Sequence, residues 1–232
     1  VIDPYYSDDQ VTLYHGDCIE LADLWTCADV LVTDPPYGLD AHLSHAARAD
    51  ATPERRRAIA KPDWDKDLRV RDAALELWAR GGRGGDRPYA VFGSPARIDA
   101  APRFREFPLV WDKGSVGMGD TRFPWGRGYE LIYIAGGGWN GKRESPVLRA
   151  VHASSAPNRI GHPTPKPQQL METLISKAPA GVIADPFAGS GSTLVAAKAL
   201  GRRAIGIELD EKYCEVAARR LAQDVLDLGP GV

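Results

Sequence analysis

The stretch Val182-Ile183-Ala184-Asp185-Pro186-Phe187-Ala188-Gly189-Ser190-Gly191-Ser192-Thr193-Leu194-Val195-Ala196-Ala197 reads as strand, glycine turn and helix in immediate succession. A short apolar run leads into the turn, and a longer apolar run rich in alanine leads out of it. Gly189 and Gly191 permit positive φ and let a ligand lie against the backbone, while the helix that follows points free N–H groups at an anion. Nineteen residues after Gly189, the run Ala204-Ile205-Gly206-Ile207 ends in Glu208, an acid at the tip of the next strand and suited to gripping ribose hydroxyls. Together they imply an adenosine-bearing cofactor. The turn lacks the lysine of a phosphate-binding P-loop, and Ser192-Thr193 stands where a dinucleotide fingerprint has its third glycine. A cofactor carrying a carboxylate is therefore favoured over one carrying a pyrophosphate, and S-adenosylmethionine fits.

Toward the N-terminus, the apolar run Val30-Leu31-Val32 leads into Asp34-Pro35-Pro36-Tyr37. This tetrapeptide suits methylation of an amino nitrogen on a planar base. The lone pair of such an amine is delocalised into the ring, so both amino hydrogens must be held to bring it out of conjugation. The Asp34 carboxylate accepts one and the Pro35 carbonyl the other, with Pro35 and Pro36 stiffening the loop that aims them. Tyr37 offers a flat face to a base turned out of its duplex. The same residues also suit a plain strand entering a proline turn. The glycine turn downstream favours the chemical reading.

With both segments in view, the chain resembles the amino-group DNA methyltransferases, which modify adenine at N6 or cytosine at N4. Asp34-Pro35-Pro36-Tyr37 precedes the Phe187-to-Gly191 loop, an order similar to the permuted beta group of that family. His162-Pro163-Thr164-Pro165-Lys166-Pro167 resembles the segment that precedes the cofactor loop there, and Gly16-Asp17-Cys18, after Val11-Thr12-Leu13-Tyr14, resembles its acidic cofactor-contacting motif. The resemblance runs from about residue 11 to about 222, with two variable stretches, 38–67 and 138–160, of the kind that reads DNA sequence in the family.

The resemblance implies a site. Catalysis falls to Asp34, Pro35, Pro36 and Tyr37. S-adenosylmethionine, leaving as S-adenosylhomocysteine, is expected at Asp17, Cys18, Asp34, Thr164, Lys166, Asp185, Phe187, Ala188, Gly189, Ser190, Gly191, Thr193 and Glu208. Asp17 would meet the adenine amino group of the cofactor, and Thr164 and Lys166 its methionine part. Aspartate at the first motif position favours adenine N6, with cytosine N4 as the alternative. The expected substrate is double-stranded DNA; a homodimer would enlarge its footprint by family analogy, and an endonuclease partner is left open.

Composition sets the frame. The chain has 232 residues, enough for one substantial core, and it is read as a single methyltransferase domain spanning 1–232. Its 44% hydrophobic and 26% charged content is ordinary for a globular protein, and no apolar run nears the roughly 20 residues that span a bilayer. Cys18, Cys27 and Cys214 are too few and too scattered for a disulfide framework or zinc knuckle, so a reduced, cytoplasmic setting and no metal are expected. His42 and His45 find no completing pair.

Net charge is −2, an unpromising total for a DNA-binding protein. Residues 38–145 nonetheless hold 19 Lys and Arg against 15 Asp and Glu, which leaves 10 against 16 elsewhere, so the basic excess lies in the half expected to face substrate. Within it, Arg122, Phe123, Trp125 and Arg127 interleave cations with aromatics, and Trp111-Asp112-Lys113 ends a strand near the expected pocket. Lys113, Arg122 and Arg127 are the candidate nucleic-acid contacts.

Apolar runs at 11–15, 30–33, 89–93, 108–111, 130–134, 182–185 and 204–208 predict seven strands, and helices are expected at 68–80, 168–177, 192–200 and 211–226. In the last, Tyr213, Val216, Ala217 and Leu221 form the stripe expected to face a sheet. The predicted fold is α/β: a doubly wound, mostly parallel seven-stranded sheet of Rossmann-like methyltransferase type, with strands 108–111 and 130–134 as an antiparallel edge hairpin. Strand 182–185 is expected beside strand 30–33. The polar region 39–67, the joint Gly81–Gly85 and the segment Gly136–Gly141 read either as loops that order on DNA or as plain loops. Two other functions fit the sequence less well: a nucleotide-dependent oxidoreductase needs a pyrophosphate cradle, and a silent cofactor-binding module should have lost Asp34 or the glycines. RNA is disfavoured as substrate by the motif order, and a protein glutamine amide by aspartate in place of asparagine.

Overall fold

The computed structural model describes residues 2–37, 68–81, 87–94, 107–114, 124–126, 128–151 and 165–223. In chain order these form β1 (Tyr6–Ser7), β2 (Val11–His15), α1 (Ala22–Trp25), β3 (Val30–Thr33), α2 (Arg69–Arg80), β4 (Tyr89–Gly93), β5 (Phe107–Asp112), β6 (Tyr129–Ala135) and β7 (Val147–Arg149). Then follow α3 (Gln168–Lys177), β8 (Ile183–Asp185), α4 (Ser192–Ala199), β9 (Ala204–Glu208) and α5 (Glu211–Ala222). One sheet holds all nine strands found among the described residues, in the order β1-β2-β9-β8-β3-β4-β6-β5-β7.

Its centre is parallel: β2 on β9, β9 on β8, β8 on β3 and β3 on β4. The pairing of Val30 with Ile183 and Leu31 with Ala184 puts β3 against β8 as expected, so Asp34 and the glycine turn leave the sheet at the same carboxyl edge. The chain then turns antiparallel, β6 running against both β4 and β5. Antiparallel pairing brings the start of β6 level with the ends of β4 and β5, since Gly93 pairs with Leu131 and Trp111 with Glu130. Glu130 thereby joins the edge that carries Asp34.

Alternation along the strands divides the core. Val30 and Val32 pack on one face with Leu170, Met171, Leu174 and Ile175 of α3, Leu194 of α4 and Ala217 of α5, while Leu31 and Val91 pack on the other with Trp25 of α1 and Leu75 and Trp78 of α2. Helices on both faces make the sheet doubly wound, and strands buried on both sides read as continuous apolar runs for that reason.

Three expectations are corrected. Among the described residues the sheet has nine strands rather than seven, because β1 and β7 are short, largely exposed edge strands without the buried apolar run that marks the equally short β8. The β5–β6 hairpin is not the edge, for β7 pairs in parallel outside β5. In α5 the fully buried stripe is Cys214, Ala217 and Leu221, with Tyr213 and Val216 on its flank. The Gly136–Gly141 segment is tied down: Trp139 Nε1 donates to Ala135 O at 2.9 Å and Asn140 N to Lys177 O at 3.0 Å, docking it on the end of α3. The start of the 138–160 stretch is thus hydrogen-bonded to the ends of β6 and α3. Region 38–67, with His42 and His45, lies outside the described residues.

Candidate active site

On the β8–β9 side the carboxyl edge is stitched together by its backbone. Ala188 N donates to Ile207 O and Gly16 N to Glu208 O, both at 2.9 Å, so the glycine turn and the Asp17 loop are each fixed to the end of β9. Glu208 accepts from Gly189 N at 2.7 Å with one carboxylate oxygen and from Asp210 N at 2.8 Å with the other. Burial pushes its carboxyl up, against those two backbone donors. Asp17 accepts from Ile19 N at 2.7 Å, which turns the chain after β2, and Cys18 is buried with its carbonyl held by Trp25 Nε1 at 2.7 Å.

The turn itself needs its glycines. Gly189 has φ +52° and Gly191, the residue capping α4, has φ +78°. A side chain at 191 would also meet the Cβ of Ala217 at 2.9 Å, so the second glycine serves the packing of α5 as well as the turn. Arg220 of α5 reaches over to Ser190 O at 2.5 Å and to the hydroxyls of Ser190 and Ser192, securing the loop from behind. At the base, Asp185 accepts from Thr33 Oγ1 at 2.7 Å and Phe187 N at 3.1 Å. It is buried, which pushes its carboxyl up to about 6 despite help from Thr193 and Thr33.

These residues fit an adenosine-bearing group. A strand-tip carboxylate oriented by two backbone N–H groups keeps spare lone pairs for ribose hydroxyls, Gly189 exposes backbone, and Asp17 stands on the neighbouring strand end.

On the β3–β6 side the bonds are between charged side chains. Lys166, just before α3, is 7% exposed and reaches Asp34 Oδ2 at 2.6 Å and Glu130 Oε2 at 3.0 Å. Lys113 meets the other Glu130 oxygen at 2.6 Å. The Tyr37 hydroxyl sits 2.5 Å from Asp34 Oδ1 and 3.2 Å from Glu130 Oε2, and Lys166 Nζ lies 3.3 Å from it. Rings of Phe92 and Trp111 wall the Lys166 ammonium at 5.0 and 5.6 Å.

Burial pushes the Asp34 carboxyl up, and Glu130 adds to this against the pull of Lys166. Burial acts the same way on Glu130, yet Lys166 and Lys113 outweigh it and hold that carboxyl below the ordinary glutamate value. For Lys166, burial opposes the charge and the two carboxylates more than restore it. Tyr37 is driven well above the usual phenol range, first by burial and then by Asp34 and Glu130. Two acids and two ammoniums thus form a mutually neutralised cluster.

The sequence-predicted residues fall into three groups. Asp17, Cys18, Asp185, Phe187, Ala188, Gly189, Ser190, Gly191, Thr193 and Glu208 gather around the turn, and Asp34, Pro35, Pro36 and Tyr37 follow β3 beside it. Lys166 and Lys113 meet in the charged cluster, Lys113 turned inward onto Glu130. Thr164, Arg122 and Arg127 lie outside the described residues. Sequence reasoning missed Glu130, although one signal was available: it is the lone charge in the otherwise apolar or aromatic β6, Tyr129–Ala135.

The chain is similar to known proteins in sequence and in fold. A family model described as DNA methylase matches residues 92–219. The type II methyltransferase M2.LlaDCHI of Lactococcus lactis subsp. cremoris is 47% identical over an alignment 255 positions long, covering 94% of this chain and 91% of that protein. The putative methylase YubD of Escherichia coli (strain K12) is 41% identical over 216, covering 89% and 88%. Among solved structures, PvuII DNA methyltransferase, described as cytosine-N4-specific, superposes with a TM-score of 0.70 at 15% identity over 97% of this chain and 91% of that one. The complex of M1.HpyAVI with SAM gives 0.62 at 22% identity over 91% and 99%. In class, then, this is a Rossmann-like methyltransferase fold. More narrowly, the chain belongs to the DNA methylase family, the amino-group methyltransferases of DNA.

Proposed function

We propose that this chain transfers the methyl group of S-adenosylmethionine to N6 of an adenine turned out of double-stranded DNA. The observation that carries the reading is the bond between Thr33 Oγ1 and Asp185 Oδ1, 2.7 Å, because it ties the residue before Asp34 to the base of the glycine turn. An acid that grips an amino group and a turn that grips a cofactor then face the same space. Relatives named as type II methyltransferases support a place beside a restriction endonuclease in a bacterial cell. The motif order supports the permuted beta group, and aspartate at position 34 supports adenine over cytosine.

In this reading Glu208 holds the ribose, Asp17 the adenine amino group and the 187–191 backbone the remainder of the cofactor. When bound, the cofactor supplies an electrophilic methyl on a sulfonium centre. Asp34 accepts one amino hydrogen of the target and the Pro35 carbonyl the other, which takes the nitrogen lone pair out of conjugation. The amino group takes over the Asp34 oxygen that now accepts from the Tyr37 hydroxyl. Burial makes Asp34 a stronger base than an exposed aspartate, fitting it to take the proton that the methylated nitrogen sheds.

Double-stranded DNA incubated with the protein and methyl-labelled cofactor, then digested to nucleosides, tests the reading. Label in N6-methyladenine is the expected result. Label in N4-methylcytosine moves the target to cytosine, and label in RNA or protein with none in DNA overturns the proposal.

A further inference from the structure

We propose that Glu130 is a positioning residue for Asp34, acting through Lys166: it shares the ammonium, so that Asp34 can release Lys166 and take the amino group of the target base. The inference rests on the assignment of Asp34 under the proposed function. It deepens that reading by adding a residue from a different part of the chain.

The geometry is specific. One ammonium, Lys166 Nζ, bridges two carboxylates at 2.6 and 3.0 Å, and the same Glu130 oxygen that takes Lys166 lies 3.2 Å from the Tyr37 hydroxyl. Among the described residues, Tyr37 and Lys166 are the two groups that occupy Asp34, and both are also within reach of Glu130. An arriving amino group must displace at least one of them. Displacing a buried ammonium from its only carboxylate leaves an uncompensated charge, which is costly. With Glu130 already 3.0 Å away, Lys166 keeps a counterion after it leaves Asp34. Lys113, 2.6 Å from the second oxygen, keeps Glu130 ionised and in place.

Among the described residues, the titratable and charged groups around Asp34 are Lys166 ahead of α3, Glu130 of β6, Tyr37 of its own loop, Lys113 after β5 through Glu130, and Asp185 of β8. Glu130 raises the Asp34 carboxyl and Lys166 lowers it. Without the Glu130 charge, Lys166 belongs to Asp34 alone, so Asp34 becomes a weaker base and is harder to free. Activity that requires ionised Asp34 is lost as pH falls through its pKa, so the acid limb moves to lower pH when that pKa drops.

The test is the pH dependence of kcat for Glu130→Gln, scored as label in any exocyclic amine of DNA. The expected result is a fall in kcat of about tenfold at neutral pH, with an acid limb displaced to lower pH and cofactor affinity unchanged. In a Lys166→Gln background the same substitution should have little further effect on kcat. A limb that stays put or moves to higher pH overturns the proposal, as does an equal loss of kcat with and without Lys166. If Glu130→Gln does not fold, Glu130→Asp gives the same comparison through a shortened reach: a smaller displacement in the same direction supports the proposal, and none overturns it. A shift of target from adenine to cytosine leaves this test intact, whereas a wild-type chain that labels no DNA ends the reading beneath it.

Discussion

Around Gly189 the carboxyl edge holds its shape through backbone hydrogen bonds and small residues, whereas around Asp34, a few residues away across the sheet, four charged side chains hold one another. On the first side Gly189 N, Asp210 N, Ala188 N and Gly16 N all donate to the end of β9 or its acid, and Gly191 lets α5 close in from behind. On the second, Asp34, Lys166, Glu130 and Lys113 form a chain of ion pairs. Backbone bonds cannot be rearranged without unfolding the turn. Ion pairs can exchange partners, and their strength follows pH. Under the proposed function, one half would keep a fixed shape for a cofactor, and the other would let go of what it holds when a base arrives.

Removing the acid should have the largest effect. Asp34→Ala is expected to cut kcat by about a thousandfold or more, because it deletes both the amino-hydrogen acceptor and the base, while calorimetry shows a far smaller change in cofactor affinity. If cofactor affinity fell in step, the two halves would not be separable in this way.

Gly191→Val strikes the rigid half. At φ +78° with Ala217 Cβ 2.9 Å from the new side chain, a β-branched residue should lower stability by about 3 kcal/mol, read as a lower Tm. An unchanged Tm would mean that the turn and α5 are free to move apart.

Asp185, at the joint between the halves, gives a pH test. Its carboxyl is pushed up to about 6 from an unfolded value near 3.8, so between these pH values the folded chain holds a proton that the unfolded chain has lost. Stability contributed at this site should therefore fall as pH rises from 4 to 7. Compared with Asp185→Asn, the wild type should lose about 2 to 3 kcal/mol of relative stability over that range. Denaturant melts at several pH values measure it, and a flat difference would remove Asp185 from the pH response.

The smallest effect is expected at Glu208→Gln. An amide keeps the shape but turns one NH₂ toward a backbone donor, so cofactor Kd should rise about tenfold with kcat at saturation preserved. A loss confined to kcat would instead move Glu208 to the reacting side.

The uneven legibility of the two halves has the same origin. The glycine turn, its following helix and Glu208 lie within a short span, and local backbone needs such as positive φ and an apolar run write themselves into adjacent residue types. The seven strands with buried apolar runs and the four longer helices were readable on those grounds. The charged cluster was not, because Glu130 comes 93 residues after Tyr37 and Lys166 comes 129 after it. Lys113, by sequence a candidate nucleic-acid contact, gave no sign of its pairing with Glu130.

By sequence alone this chain was determined to be an α/β protein with an adenosine-type cofactor turn, an Asp-Pro-Pro-Tyr loop and a likeness to amino-group DNA methyltransferases. Tertiary structure decided that β6 runs against β4 and so delivers Glu130 to the edge where Asp34 stands, and that Lys166 is shared between them. The physical reason is one of range. Conformational demands act between neighbours and leave a local mark, but the value of a buried charge depends on which distant charge the fold brings within 3 Å of it.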